Sequence, residues 1–340
     1  MDSPLESDPS SLLHTLKGKE AFLPNLGSIL KEYPTAVHPE VKQLKDDVEK
    51  RLDASKQTVL RNSVQPGGLM HRTIDYEYAP TFISETDSME FSDLSSDFQR
   101  SQDFRDETIA FCQQSLGLSS PIEAPIQSSN PIITNFQDFG NELRQNCSYD
   151  QRRWLIDEIE HFVRMVEIEQ RCNLSERLPS IDEYKHRRMG TSAVAVCLIL
   201  TDYAYGVKLP RWIILDVEFR RLADAVNIII STTNDILSVE KEISAGQVDT
   251  LIPLLFCEQG FKLQSAIDAA TDIIQKAVVE LNESSGRLLT VTAADKSMYA
   301  MLKQYIEGCR FACTGNFSWS ITSGRYMLEF GPSGDAKIVL

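Results

Sequence analysis

Apolar positions along this chain recur mainly at helical spacing. Trp154, Leu155, Ile156, Ile159, Phe162 and Val166 mark one face of an amphipathic helix over about 150–171. After Pro179, Ser180 and Glu183 make a capping-box signature, and the segment turns apolar from Ala193 to Leu200. The apolar run LADAVNIIISTT (222–233) leads straight into NDILSVEKE (234–242), predicting one helix over 213–245 that Gly246 closes. Two further helices fit 261–289 and 292–313, and VKQLKDDVEKRLDASKQTVL (41–60) reads as a solvated helix. SPIEAPIQSSNP (120–131) is a loop rich in Pro and Ser. Alternating strand patterns and internal repeats are not evident. The expectation is an all-α fold: a disordered N-terminus (1–15), a single helical domain (16–330) and a flexible tail (331–340).

The junction at 234 departs from the apolar pattern. Positions i, i+4 and i+8 share a helix face, so Asn234, Ser238 and Glu242 line up, and Asn227 and Ser231 extend the stripe upstream. A polar triple of this kind often marks a solvated face. Here it comes after Ile228, Ile229 and Ile230, and buried polar atoms without partners cost free energy. The stripe therefore calls for a partner.

Composition narrows that partner. A net charge of −15 disfavours nucleic acid, because phosphate binding needs basic clusters. The hydrophobic fraction of 42% and aromatic fraction of 8% are those of a globular protein. Seven cysteines form no CxxC pair and leave an odd count, which reads as reduced thiols in a cytoplasmic protein. The start MDSPLESDPSSLL is acidic and polar, unlike a signal or transit peptide. No segment reaches the roughly 18 apolar residues of a membrane span.

NDILSVEKE is similar to the second metal motif of class I terpene cyclases. EYKHRRMGTSAV (183–194) resembles the segment of the fungal sesquiterpene cyclases that carries a pyrophosphate-sensing arginine, and WSITSGRY (319–326) resembles their terminal Arg-Tyr motif. The likeness is close from about 178 to 327 and weak in the N-terminal half, poorest around 70–100. It implies a class I terpenoid synthase-like bundle around a central pocket, as a monomer or homodimer. It further implies Mg2+-dependent ionisation and cyclisation of farnesyl diphosphate. In this reading Asn234, Ser238 and Glu242 bind the metal, which suits the preference of magnesium for hard oxygen ligands. Arg188 grips pyrophosphate, with Thr191 and Ser192 three and four residues on; Arg187 is the alternative. Lys241 touches pyrophosphate, and Arg325 and Tyr326 close over the leaving group. Trp319 faces the carbocation, with Tyr184, Tyr203 and Phe162 as further wall residues. The plainer alternatives are surface pairing of Arg187-Arg188 with Asp182 or Glu183, and core packing for Trp319.

One part of the family pattern is missing. Class I cyclases carry an aspartate-rich first motif, and EFSDLSSDFQRSQDFRDETIAF (90–111) resembles the segment directly downstream of that motif in fungal relatives. Immediately upstream, YEYAPTFISETDSM contains no paired aspartates, and Pro80 lies seven residues from Asp87. Seven residues make about two helical turns, roughly 10 Å, too short to line a pocket. Asp46 and Asp47 lie too far upstream. Glu85 and Asp87 are the remaining candidate metal ligands on this wall, with Asp93 and Asp97 behind them. The segment reads as a deletion, so the alternatives are a catalytically impaired relative that keeps the fold and diphosphate or partner binding, or a prenyltransferase. The last is disfavoured because that family uses aspartate-rich motifs at both sites.

Overall fold

The computed structural model describes residues 8–35, 97–120, 126–175, 177–326 and 328–340. The solvated helix expected over 41–60, together with Asp46, Asp47, Glu85, Asp87 and Asp93, lies outside the described residues. Elements are α1 (Pro9–Leu16), β1 (Glu20–Leu23), a 3-10 turn (Leu26–Ser28), α2 (Phe98–Ser115), α3 (Pro131–Thr134) and α4 (Phe136–Asn146). Then come α5 (Tyr149–Leu174), α6 (Ile181–Thr191), α7 (Val194–Ala204), α8 (Arg211–Ile214) and α9 (Val217–Ser244). The chain ends with α10 (Leu251–Glu258), α11 (Leu263–Thr292), α12 (Lys296–Thr322) and β2 (Ala336–Val339).

The all-α expectation holds, and the helix at the centre is the polar-striped one. α9 packs most extensively against α11, and also contacts α12, α7, α10 and α6. Its Leu222, Val226, Ile229, Ile236 and Val239 are each 0% exposed. Full burial of such a side chain is worth about 1.5–3 kcal/mol. Beside it Phe219 stacks on Tyr305 with centroids 5.2 Å apart, and Trp154 meets Phe219 edge-on at 5.7 Å. These aromatics tie α5, α9 and α12 together.

Local chemistry sets the helix ends. The expected capping box, Ser180 with Glu183, starts α6, and a second one, Ser148 with Gln151, starts α5. The helix expected over 213–245 is two: Asp216 adopts an extended conformation and accepts from the Glu218 amide at 2.7 Å, starting α9 afresh after the short α8. Here an N-cap carboxylate outweighs apolar continuity. The last two long helices start later and run further than their periodicity suggests. Asp295 caps α12 through the Ser297 and Met298 amides, and the helix continues through Trp319 to Thr322.

The chain ends differ from expectation. Within the stretch 1–15, Asp8 caps α1 through the Ser11 amide, and Leu12 and Leu16 are buried. The tail 331–340 is not free: β2 pairs antiparallel with β1, Glu20 opposite Val339 and Leu23 opposite Ala336. Ala336 and Ile338 face the core at 3% and 1% exposure. Gln264 of α11 exchanges two hydrogen bonds with the Phe22 backbone, at 2.9 and 3.1 Å, which fixes this ribbon to the bundle. Each strand has only four residues, and its partner lies at the opposite end of the chain. Neither strand carries a local signal long enough to read.

Candidate functional site

The last three turns of α9 carry the stripe, and α6 crosses it. Asn234 is partly exposed, Ser238 buried and Glu242 partly exposed. Ser238 Oγ lies 2.7 Å from the Asn234 carbonyl and 2.6 Å from Glu242 Oε1. A single hydroxyl proton thus serves two acceptors. Glu242 Oε2 is buried and makes no hydrogen bond. Burial pushes the Glu242 carboxyl up, and the Asp235 carboxylate adds to this. An amide oxygen, a hydroxyl and a carboxylate on one face form a hard-oxygen donor set, and a buried acceptor left without a donor fits a cation.

Arg188 comes to this stripe from α6. Its Nη2 donates to Asn234 Oδ1 at 2.7 Å and to Asp235 Oδ1 at 2.8 Å, while its Nε is buried without an acceptor. Burial works against its charge, but Asp235, Tyr184, Glu242 and Glu169 together hold the guanidinium above its ordinary range. The Tyr184 hydroxyl donates to Asp235 Oδ2 at 2.6 Å. Burial pushes the Asp235 carboxyl up, against the pull of Arg188. From the C-terminal side, the Tyr326 hydroxyl accepts from Asn234 Nδ2 at 2.5 Å. Arg325 stands over the rings of Trp319 (5.5 Å) and Tyr326 (5.7 Å).

The structure therefore brings together Arg188, Asn234, Ser238, Glu242 and Tyr326, with Arg325 and Trp319 adjoining through Tyr326. Trp319 is 6% exposed, and its ring lies under the Arg325 cation. Lys241 is exposed. Ser192, which closes α6, donates to Asn227 Oδ1 at 2.8 Å, so it meets the stripe upstream of the metal-motif residues.

Arg187 departs from the surface-pair reading. It is 2% exposed, and its Nη2 donates to Asp249 at the carbonyl (2.8 Å) and at Oδ2 (2.7 Å), with Glu169 at 3.6 Å. This guanidinium clasps α6 to the loop before α10, while its Nε and Nη1 are buried without a hydrogen-bond acceptor. It makes no surface pair with Glu183, because Glu183 is taken by Arg177 at 2.9 and 3.0 Å. Asp97, a reserve ligand in sequence, caps α2 through the Arg100 amide at 3.0 Å. Tyr203 donates to Glu142 at 3.1 Å and is exposed.

Sequence reasoning passed over Asp235, Asp249 and Glu169. Asp235 carried a signal, being a carboxylate directly after Asn234 with Ser231 and Ser238 at helical spacing on either side. Among the described residues no group of three His, Cys, Asp or Glu side chains gathers as a metal cluster, and no helix is long and apolar enough to cross a membrane. A cavity of about 10 Å³, room for one water, lies apart from the stripe beside Cys147, Gln151 and Ile199.

Comparisons with known proteins point one way. Residues 92–280 match the family described as terpene synthase family 2, C-terminal metal binding. The sesquiterpene cyclase hepA of Aspergillus oryzae is 30% identical over 344 residues, spanning 94% of this chain and 93% of that protein. The terpene cyclase braA of Annulohypoxylon truncatum is 21% identical, across 94% of this chain and 89% of its own. Among solved structures, a hedycaryol synthase in complex with HEPES superposes with a TM-score of 0.67 at 15% identity, covering 86% of this chain and 97% of that one. That likeness speaks for the fold.

Proposed function

This chain belongs to the fungal class I terpene cyclases, and from that premise we propose that it ionises farnesyl diphosphate and cyclises the product to a sesquiterpene with the help of Mg2+. The observation that carries the proposal is the meeting of a hard-oxygen stripe with an inward guanidinium, Arg188 on Asn234 at 2.7 Å. The farnesyl substrate is supported by relatives named for sesquiterpene products. A cytoplasmic location is in keeping with seven cysteines of which none forms a disulfide.

In this reading Asn234, Ser238 and Glu242 hold the metal. Bound there, magnesium supplies charge neutralisation for the departing pyrophosphate. The chain's own groups do the rest. Arg188 Nε has no acceptor of its own and is a donor for a diphosphate oxygen, where a charge-assisted bond is strongest. Arg325 and Lys241 add positive charge at the same end, and the Tyr326 hydroxyl, accepting from Asn234 Nδ2, orients the amide with its oxygen toward Arg188. Ser192 faces the substrate from the end of α6. Trp319 backs Arg325 and offers a ring face toward developing positive charge. Glu85 and Asp87 are assigned to the opposite wall on sequence order alone.

The test is incubation of the full chain with farnesyl, geranyl or geranylgeranyl diphosphate and MgCl2, monitoring released pyrophosphate and volatile hydrocarbons together. Release of both from farnesyl diphosphate alone is expected. Release of neither from any of the three overturns the proposal.

A further inference from the structure

The boundary between α6 and α7 is not written in the local sequence. EYKHRRMGTSAVAVCLIL has no proline, and its only glycine, Gly190, precedes the break. Even so, Ala193 adopts a left-handed conformation (φ 57°), which costs a residue with a β-carbon about 1–2 kcal/mol. In an uninterrupted helix the Ala193 amide would bond to the Met189 carbonyl. Instead it bonds to the Gly190 carbonyl at 3.0 Å, and Met189 O is released.

Asn227 meets that freed carbonyl from α9. It is 2% exposed, its Nδ2 donates to Met189 O at 2.7 Å, and its Oδ1 accepts from Ser192 Oγ at 2.8 Å. Ser192 Oγ in turn accepts from the Val194 amide at 3.3 Å, opening α7. One buried amide thus satisfies a freed carbonyl and a cap hydroxyl on the two sides of the same break. Gly190 presses the turn against Met165 and His161 of α5, where a β-carbon would collide. The last turn of α6 is therefore held between α5 and α9, and Arg188 sits on it.

We infer that Asn227 is a positioning residue for ionisation: it keeps the α6–α7 break open, and so fixes the turn that aims Arg188 and presents Ser192. The inference rests on the cyclase reading above. Without the amide, Met189 O is orphaned and nothing offsets the strain at Ala193, so the turn drifts toward continuous helix. Asn227 touches no substrate in this account. It acts through the turn.

The experiment compares the full chain with N227L, N227D and the double variant N227L/A193G. N227D keeps the acceptor for Ser192 and loses the donor to Met189. Expected for N227L and N227D is a kcat reduced about 10- to 100-fold with KM within about threefold, the size of a lost buried hydrogen bond felt in the transition state. Glycine accepts the left-handed conformation freely, so A193G should recover about fivefold of the loss in the double variant. A residue that merely supports the fold would not be rescued in this way. Amide exchange gives a readout independent of turnover: Ser192, Ala193 and Val194 should exchange at least about tenfold faster in N227L and recover in the double variant. An N227L enzyme with undiminished kcat, or a kcat deficit and exchange that glycine leaves unchanged, overturns the inference. Should N227L fail to fold, N227D with and without A193G carries the same outcomes. A wild-type chain inert to every prenyl diphosphate would sink the cyclase reading, while the exchange comparison would still decide whether Asn227 holds the α6–α7 break.

Discussion

Arg188 and Asp235 form an ion pair with Nη2 2.8 Å from Oδ1, one residue off the stripe that binds the metal in the proposed reading. The arginine that would meet diphosphate is thus already anchored by the chain itself, by Asp235 at one oxygen while Tyr184 holds the other. An anchored guanidinium loses less rotamer freedom when a ligand arrives, which favours binding.

Asp235→Asn should leave a partly buried guanidinium short of its counter-charge. The expected loss is about 3–5 kcal/mol of unfolding free energy, the usual result of removing one partner from a buried pair. Tyr184→Phe, which removes only one hydrogen bond to the same carboxylate, should lose about 1–2 kcal/mol. Urea unfolding measures both, and equal losses would contradict the pairing.

Glu242→Gln keeps the shape of the stripe and removes its one carboxylate. Magnesium binding in the presence of inorganic pyrophosphate, measured by calorimetry, should become undetectable, and turnover should fall by orders of magnitude while the helical circular dichroism stays unchanged. An unaltered titration would remove Glu242 from the metal site.

The two neighbouring arginines should separate. Arg188→Ala and Arg325→Ala should each weaken pyrophosphate binding by about 1.5–3 kcal/mol, as for bonds to charged partners. Arg187→Ala should instead destabilise the fold, because Asp249 and Glu169 lose their shared cation. Pyrophosphate titration and thermal unfolding of all three variants test this split, which the adjacent sequence positions do not foretell.

Ile338→Asp introduces a carboxylate where a side chain is 1% exposed and should unzip β2 from β1. A cost of about 3 kcal/mol or more is expected from burying an unpaired polar group. A thermal midpoint within a degree of the parent would mean that the ribbon contributes nothing.

Asp202, 0% exposed and bonded by Gln151 at 2.8 Å, has its carboxyl pushed by burial up to about 6 from an ordinary value of 3.8. A raised carboxyl favours the fold when protonated. Its contribution is therefore complete below the unfolded value and is lost as pH rises through about 6. In Asp202→Ala this part of the pH dependence should vanish. Unfolding free energies measured between pH 4 and pH 8 would show it as a flatter curve.

Period and spacing alone determined the helical class, most helix bodies, the Ser180–Glu183 capping box and the stripe Asn234, Ser238, Glu242, because these depend on contacts within one or two turns. The likeness of three short segments to one family was legible for the same reason: each is a local string. Tertiary structure decided what no local pattern records. Arg187 and Arg188 are adjacent and chemically identical, yet about 100° of helical rotation sends one to Asp249 and the other to Asn234 and Asp235. The break at Ala193 depends on an amide 34 positions away on another helix, and the terminal ribbon joins residues more than 300 apart. Partners at such separations leave no period in the sequence, so only the packed chain reveals them.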